Sequence, residues 1–233
     1  MIVLFDLDNT LIDTQRIKQE VFYASAISFG LSEAEAKDIY QSVRNIDGKV
    51  ILSPQNFAVK LSVRVGESSD VIEAKMYEKL KHLGESLCID GAVNLLQGVQ
   101  KEKLDMYIMT LGVHSWQKEK IQYAGLDMFF PKEKRILPAL DLSEENAKTI
   151  ALENFFGKKI YEEESILFND KPEETAKILE TYPRMNAFVR YDTNDERFSK
   201  KDFEKFEVIF GNRFIFSESL FELQAQFEDF LQK

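Results

Sequence analysis

The stretch Ile2-Val3-Leu4-Phe5-Asp6-Leu7-Asp8-Asn9-Thr10 decides how the chain folds. Its first four residues are apolar, two of them β-branched, which suits a short strand buried on both faces, and the run stops at Asp6. Acidic residues therefore crowd the strand's carboxyl end. Beyond Gly91 the pattern alternates strand and helix: strands over 104–109, 135–139, 165–168 and 186–190, with helices over 114–124 and 172–180. Between the second and third of those strands, Ser143 caps a helix that runs to about 156 and stops near Gly157. Units of this length imply parallel strands joined by right-handed crossovers, hence an α/β, doubly wound parallel sheet of the Rossmann-like kind. A short strand over 214–216 and an amphipathic helix over 217–231 close the chain, while 191–213 is polar and shows little periodicity.

The first strand and the 104–109 strand lie about a hundred residues apart, whereas a crossover needs only ~12 or more. The excess reads as an insert. Apolar residues recur there at helical spacing (Ile17, Val21, Ala24, Phe29, then Ala36, Ile39, Tyr40, Val43) without strand alternation. Ser32 with Glu35 forms a capping box, Ser53 precedes Pro54, and Ser69 opens a further helix, so four helices are expected. The predicted organisation is a catalytic core of residues 1–13 and 89–233 with an α-helical cap over 14–88.

Composition narrows the functional classes. With 233 residues and 44% hydrophobic content the chain can bury a full core, and no apolar run approaches the ~18 residues of a membrane span. Thirty Lys and Arg against 40 Asp and Glu give −10, a field that repels nucleic acid and anionic membranes, so a bound phosphate needs local positive charge. Cys88 is the only cysteine, which excludes an internal disulfide and a multi-thiolate zinc site and fits a reducing cytoplasm. His82 and His114 lie far apart and read as surface residues.

Asp6 and Asp8 project from a strand's carboxyl end, where α/β folds bind ligands. One carboxylate can attack an electrophile while the second manages protons, and together they suit a hard cation such as magnesium. Thr110 is a hydroxyl at another strand end, with Leu111 and Gly112 beside it to bring backbone amides to a phosphate oxygen. Lys148 lies early in its helix and offers an ammonium; Lys132 and Lys134 are the runners-up. Asn169 and Asp170 end the 165–168 strand region, and Glu173 and Glu174 follow in the next helix's first turn, where helix-dipole compensation explains them equally well.

Taken in order, Asp-x-Asp-x-Thr, Thr, Lys and Asp resemble the four motifs of the haloacid dehalogenase superfamily of aspartate-nucleophile phosphotransferases, over roughly residues 2–180. That superfamily often inserts a helical cap between its first and second motifs, where this chain has its insert. The resemblance implies Asp6 as nucleophile, Asp8 as general acid and base, Thr110 and Lys148 as phosphate binders with backbone help from Leu111 and Gly112, and Mg2+ held by Asp6, Asp8, Asp170 and Asn169. It departs at Asn169, where many members carry an acid, and at Leu111–Gly112, where many carry Asn or Ser. The expected activity is magnesium-dependent hydrolysis of a small phosphorylated metabolite. A phosphomutase would use the same residues, and a non-catalytic binding protein would keep the fold; dehalogenation has no alcohol for Asp8 to protonate. Arg16, Arg44, Lys49, Lys60 and Arg64 are the insert's candidates for substrate selection, each with a solvated surface charge as the competing reading, and Phe22, Tyr23 and Phe57 read as packing.

Overall fold

The computed structural model describes residues 1–46, 49–138 and 144–232. Ala139 and Ser143, which the sequence assigns to a strand end and a helix cap, lie outside them. The chain opens with β1 (Ile2–Phe5). It then enters one continuous helix built of α1 (Thr14–Ile17), a π-helical stretch over Lys18–Tyr23, and α2 (Ala24–Ser28). Next come α3 (Glu33–Arg44), the short antiparallel pair β2 (Asn45–Ile46) and β3 (Lys49–Val50), α4 (Pro54–Val65) and α5 (Ser69–Leu83). Four helices are thus present as expected, and the small β pair is an addition to a segment read as wholly helical.

The second half alternates. In order it holds α6 (Ala92–Lys101), β4 (Asp105–Met109), α7 (His114–Tyr123), β5 (Arg135–Ile136), α8 (Glu144–Phe156) and α9 (Lys159–Glu162). There follow β6 (Ser165–Asn169), α10 (Pro172–Thr181), β7 (Met185–Arg190), α11 (Lys200–Phe210), β8 (Phe214–Ser217) and α12 (Leu220–Leu231). Helix α11 corrects the reading of 191–213 as featureless. Its buried stripe is Phe203 and Phe206, but Val208 and Ile209 are apolar and exposed, which blurs the helical period in the sequence. Ser199 and Asp202 close a reciprocal capping box at its start.

Six parallel strands form one sheet in the order β5-β4-β1-β6-β7-β8, with helices on both sides. Alternation along the strands sends side chains to two cores. Val3, Phe5, Ile108, Phe168 and Phe188 pack beneath α6, α7 and α12, while Ile2, Leu4, Met109, Leu167 and Val189 pack against α8, α10 and α11. Burial on both faces explains why these strands read as unbroken apolar runs. Phe5, Phe168 and Phe188 are register partners, stacked at 4.8 and 5.3 Å between ring centroids, and they make a stiff floor under the carboxyl ends of β1, β6 and β7.

The helical segment leaves and rejoins the sheet through two adjacent strands of backbone. Asp13 N–H donates to the Leu87 carbonyl at 2.9 Å and Ile89 N–H to the Leu11 carbonyl at 2.9 Å. Its apolar face continues the first core: Phe22 meets Tyr40, Phe57 and, at 6.0 Å, Trp116 of α7. Among the described residues no helix is long and apolar enough to cross a membrane.

Candidate active site

Directly after β1 the chain makes a tight turn. Leu11 and Ile12 amides both donate to the Leu7 carbonyl, Asn9 N–H donates to the Ile12 carbonyl, and Asn9 adopts a φ of 60°, a conformation Asn tolerates better than most residues. Arg190 clamps the turn from β7, donating through Nη1 to the Asn9 carbonyl at 2.8 Å. This geometry places Asp6 on the sheet's end and Asp8 two residues above it, both facing one cavity of about 510 Å³.

Asp6 is buried beside an ammonium. Lys148 Nζ donates to Asp6 Oδ1 at 2.6 Å and also to Glu174 Oε1. Lys148 reaches inward because Ala147, Ala151 and Leu152 share its buried side of α8. Asn169, fully buried at the end of β6, accepts from Lys148 at 3.4 Å and donates to Glu174 Oε1 and Thr175 Oγ1 at 3.1 and 2.9 Å. Its amide braces the Lys148–Glu174 pair. Glu174 thus does more than compensate a helix dipole. Burial pushes its carboxyl up, but Lys148 and Lys171 outweigh that and hold it down at about 2. Burial raises Asp6 from its ordinary value, against the pull of Lys148, with Glu174 and Asp8 adding repulsion. Asp170 is pushed up to about 7, by burial first and then by Asp6.

Asp8 is held from α7. Lys120, itself buried, donates to Asp8 Oδ1, and Gln117 Nε2 stands 3.5 Å from Asp8 Oδ2 while donating to the Leu111 carbonyl. Neither residue stands out in the sequence; their spacing of three on a helix that follows a strand-end Thr is the only available signal. Gly112 has a φ of +127°, and a Cβ there would lie 2.5 Å from Gln117 Nε2, so only glycine leaves room for that amide. Thr110 and Leu111 line the cavity, and the Thr110 hydroxyl is buried without a partner among the described residues, an arrangement suited to an incoming oxygen anion.

Not every candidate reaches the cavity. Lys134 pairs with Asp105 at 2.8 Å and Tyr107, and Lys132 is exposed on the same turn. Of the helical segment's cations, Arg44 lines the cavity, whereas Arg16 pairs with Glu20 and the Ser86 carbonyl, Lys60 and Arg64 are exposed elsewhere, and the Lys49 side chain lies outside the described residues. Lys18, which the sequence did not single out, joins Arg44 there. Phe22 is both packed and cavity-lining, while Tyr23 and Phe57 are buried in the core.

Among the described residues no three His, Cys, Asp or Glu side chains converge as a ready-made metal cage. Magnesium is usually held by only one or two carboxylates, with substrate oxygens and water completing the shell. Asp6 and Asp170 supply that chemistry, for Asp170 Oδ1 is buried without a partner and its Oδ2 has only Arg197 at 3.4 Å. The donor set therefore fits a hard divalent cation.

Residues 3–177 match the profile of the haloacid dehalogenase-like hydrolases. No curated protein is significantly similar in sequence. Among solved structures, a haloacid dehalogenase-like hydrolase of Burkholderia xenovorans superposes with a TM-score of 0.68 at 17% identity, covering 99% of this chain and 97% of its own. A family hydrolase of Deinococcus radiodurans with bound phosphate and sodium gives 0.59 at 16%, covering 97% and 94%. The L-2-haloacid dehalogenase of Xanthobacter autotrophicus, with chloropropionic acid covalently bound, gives 0.60 at 13%, covering 97% and 98%. At these identities the superpositions speak for the fold, and the profile match speaks for the family: the chain belongs to the haloacid dehalogenase-like hydrolases.

Proposed function

We propose that the protein is a phosphomonoesterase that works through an aspartyl-phosphate on Asp6. The observation that carries this is that one cavity is lined by two carboxylates of the β1 turn, a buried ammonium on one of them and a threonine whose hydroxyl has no partner among the described residues. Asp6 attacks phosphorus, the bond to the leaving oxygen breaks, and that oxygen takes a proton from Asp8. A water then attacks the same phosphorus, gives its proton to Asp8, and the Asp6–phosphorus bond opens to release inorganic phosphate. Thr110 and the Leu111–Gly112 backbone receive phosphoryl oxygens, and Lys148 opposes the charge that gathers there.

Lys120 and Gln117 orient Asp8 for both proton transfers. Asn169 and Glu174 act one step removed by fixing Lys148. Asp6 and Asp170, with Asp8 at the same strand end, would hold magnesium. When bound, the ion supplies positive charge that offsets repulsion between the nucleophile and the phosphate. Residues 14–88 act as a cap that excludes water and selects a small phosphorylated metabolite, joined to the core by the paired backbone at Asp13 and Leu87.

Asp8 separates this reading from dehalogenation, in which no leaving alcohol needs a proton. The test is phosphate release from a panel of phosphomonoesters with magnesium, with chelator and in Asp6→Asn. Magnesium-dependent release abolished by the substitution is the expected result; release that survives Asp6→Asn would overturn the assignment.

A further inference from the structure

Among the described residues six cations line the cavity: Lys18, Arg44, Lys120, Lys148, Lys171 and Arg197. Four have carboxylates of their own. Lys148 holds Asp6 and Glu174, Lys120 holds Asp8, Lys171 stands 3.9 Å from Glu174, and Arg197 pairs with Asp195 and Asp170. The remaining two, Lys18 and Arg44, both come from the helical segment. Among the described residues the exposed Arg44 side chain makes no hydrogen bond or ion pair, and its charge acts at longer range on Asp195, the partner of Arg197. Lys18 donates only to the neutral Gln15 amide at 3.3 Å and lies 5.6 and 5.8 Å from the ring centroids of Tyr23 and Tyr40.

In a chain of net charge −10, two cations with no carboxylate in contact, on the wall of the cavity that holds Asp6 and Asp8, run against the molecule's overall balance. Their position is also unusual in backbone terms, because Lys18 begins the π-helical stretch, a winding that is rare and frequent at functional sites. Burial and then the nearby Arg44 and Lys37 push the Lys18 ammonium below its ordinary value, against a smaller opposing pull from Glu196. The transferred phosphate already has Thr110, Lys148 and the Leu111–Gly112 backbone on the sheet side. Lys18 and Arg44 are surplus to it.

We propose that Lys18 and Arg44 form a second anion subsite, so that the substrate is a small phosphomonoester bearing a further anionic group, a carboxylate or a second phosphate. Phe22, Tyr40 and Trp116 give the space between the two subsites an apolar wall, suited to a short carbon spacer. The inference rests on the phosphomonoesterase reading for its reaction, though not for its binding.

The test compares matched pairs that differ only in the distal group: 2-phosphoglycolate against 2-hydroxyethyl phosphate, and 1,3-propanediol bisphosphate against 3-hydroxypropyl phosphate. Wild-type kcat/KM should favour the partner with the distal anion in at least one pair by about ten- to hundredfold, the effect of one charged hydrogen bond. In Lys18→Met with Arg44→Met that ratio should fall toward one, and Lys18→Arg should restore it. Which pair responds tells carboxylate from phosphate. Equal kcat/KM within both pairs would overturn the subsite while leaving the phosphatase intact.

A binding arm separates the two failures. If no compound is hydrolysed, the phosphatase reading fails, and the subsite is judged by the melting temperature of Asp6→Asn protein with each ligand. A larger shift for the ligand with the distal anion, erased by Lys18→Met, supports it; equal shifts in both pairs overturn it.

Discussion

The site's inner and outer charges are built differently. The inner set, Asp6, Lys148, Glu174, Asn169 and Asp170, sits on strand ends or on helices packed against them, is buried except for the half-buried Glu174, and is largely neutralised within itself. The outer pair, Lys18 and Arg44, comes from the helical segment, is half-buried or exposed, and among the described residues has no carboxylate in contact. A charge fixed in the interior by its partners is suited to chemistry that is the same for every substrate. Charges left open at the cavity's far side are suited to telling substrates apart.

The strongest test of this contrast is Asp6→Asn, which should lower phosphate release roughly a thousandfold or more, in line with removal of a covalent nucleophile. Far-UV circular dichroism should be unchanged, since the amide keeps the shape and can still accept from Lys148. Next in size is Lys148→Met. It strands Asp6 and Glu174 as two buried carboxylates without their shared cation, and breaking such a pair costs about 3–5 kcal/mol. We expect both a loss of activity of roughly a hundredfold or more and a lower urea midpoint. A stable Lys148→Met protein with wild-type turnover would dissolve the distinction between inner and outer charges.

Lys120→Met should act more narrowly. Lys120 touches Asp8 and not the nucleophile, so its loss should matter where the leaving oxygen needs a proton. With an alkyl phosphate, kcat should fall about tenfold or more, at the low end of what general acid–base catalysis contributes. With p-nitrophenyl phosphate, whose leaving group departs unaided, it should change little. An equal fall for both substrates would mean that Lys120 serves only to hold the fold.

The same contrast explains what could be read from the sequence. Strands ending in Asp6, Thr110 and Asp170 advertise the inner set, because a buried parallel strand is an unbroken apolar run and a polar residue at its end has few structural reasons to be there. Helix α11 hid behind exposed Val208 and Ile209, and the π-helical turn hid because three successive buried residues, Val21, Phe22 and Tyr23, still fit a loose helical period. Lys120 and Lys18 were illegible for a different reason. A lysine on a helix is ordinarily solvated, and only the tertiary approach of α7 to the β1 turn, or of the π turn to the cavity, gives it a role. Asn169 was assigned to the metal by resemblance; its contacts turn it to Lys148, Glu174 and Thr175, so it is proposed as a brace.

The smallest expected effect concerns pH. Asp170 is raised from the usual 3.8 to about 7 by burial and by Asp6, so its proton stabilises the fold. Below about pH 4 the group is protonated whether the chain is folded or not, and it costs nothing. Between there and pH 7 the unfolded chain ionises first, and stability falls as pH rises; above pH 7 both states are ionised and the loss is complete. In chelator the melting temperature should therefore drift down from pH 5 to pH 7.5 and then level. Magnesium binds the ionised site, so the gap between the magnesium and chelator curves should widen over the same range. Asp170→Asn should flatten the Asp170-dependent slope and shrink the magnesium gap, whereas Lys18→Met should preserve both, since the outer charges do not set the state of Asp170. A magnesium gap independent of pH, or one that Lys18→Met removes, would show that the inner and outer charges work as a single set.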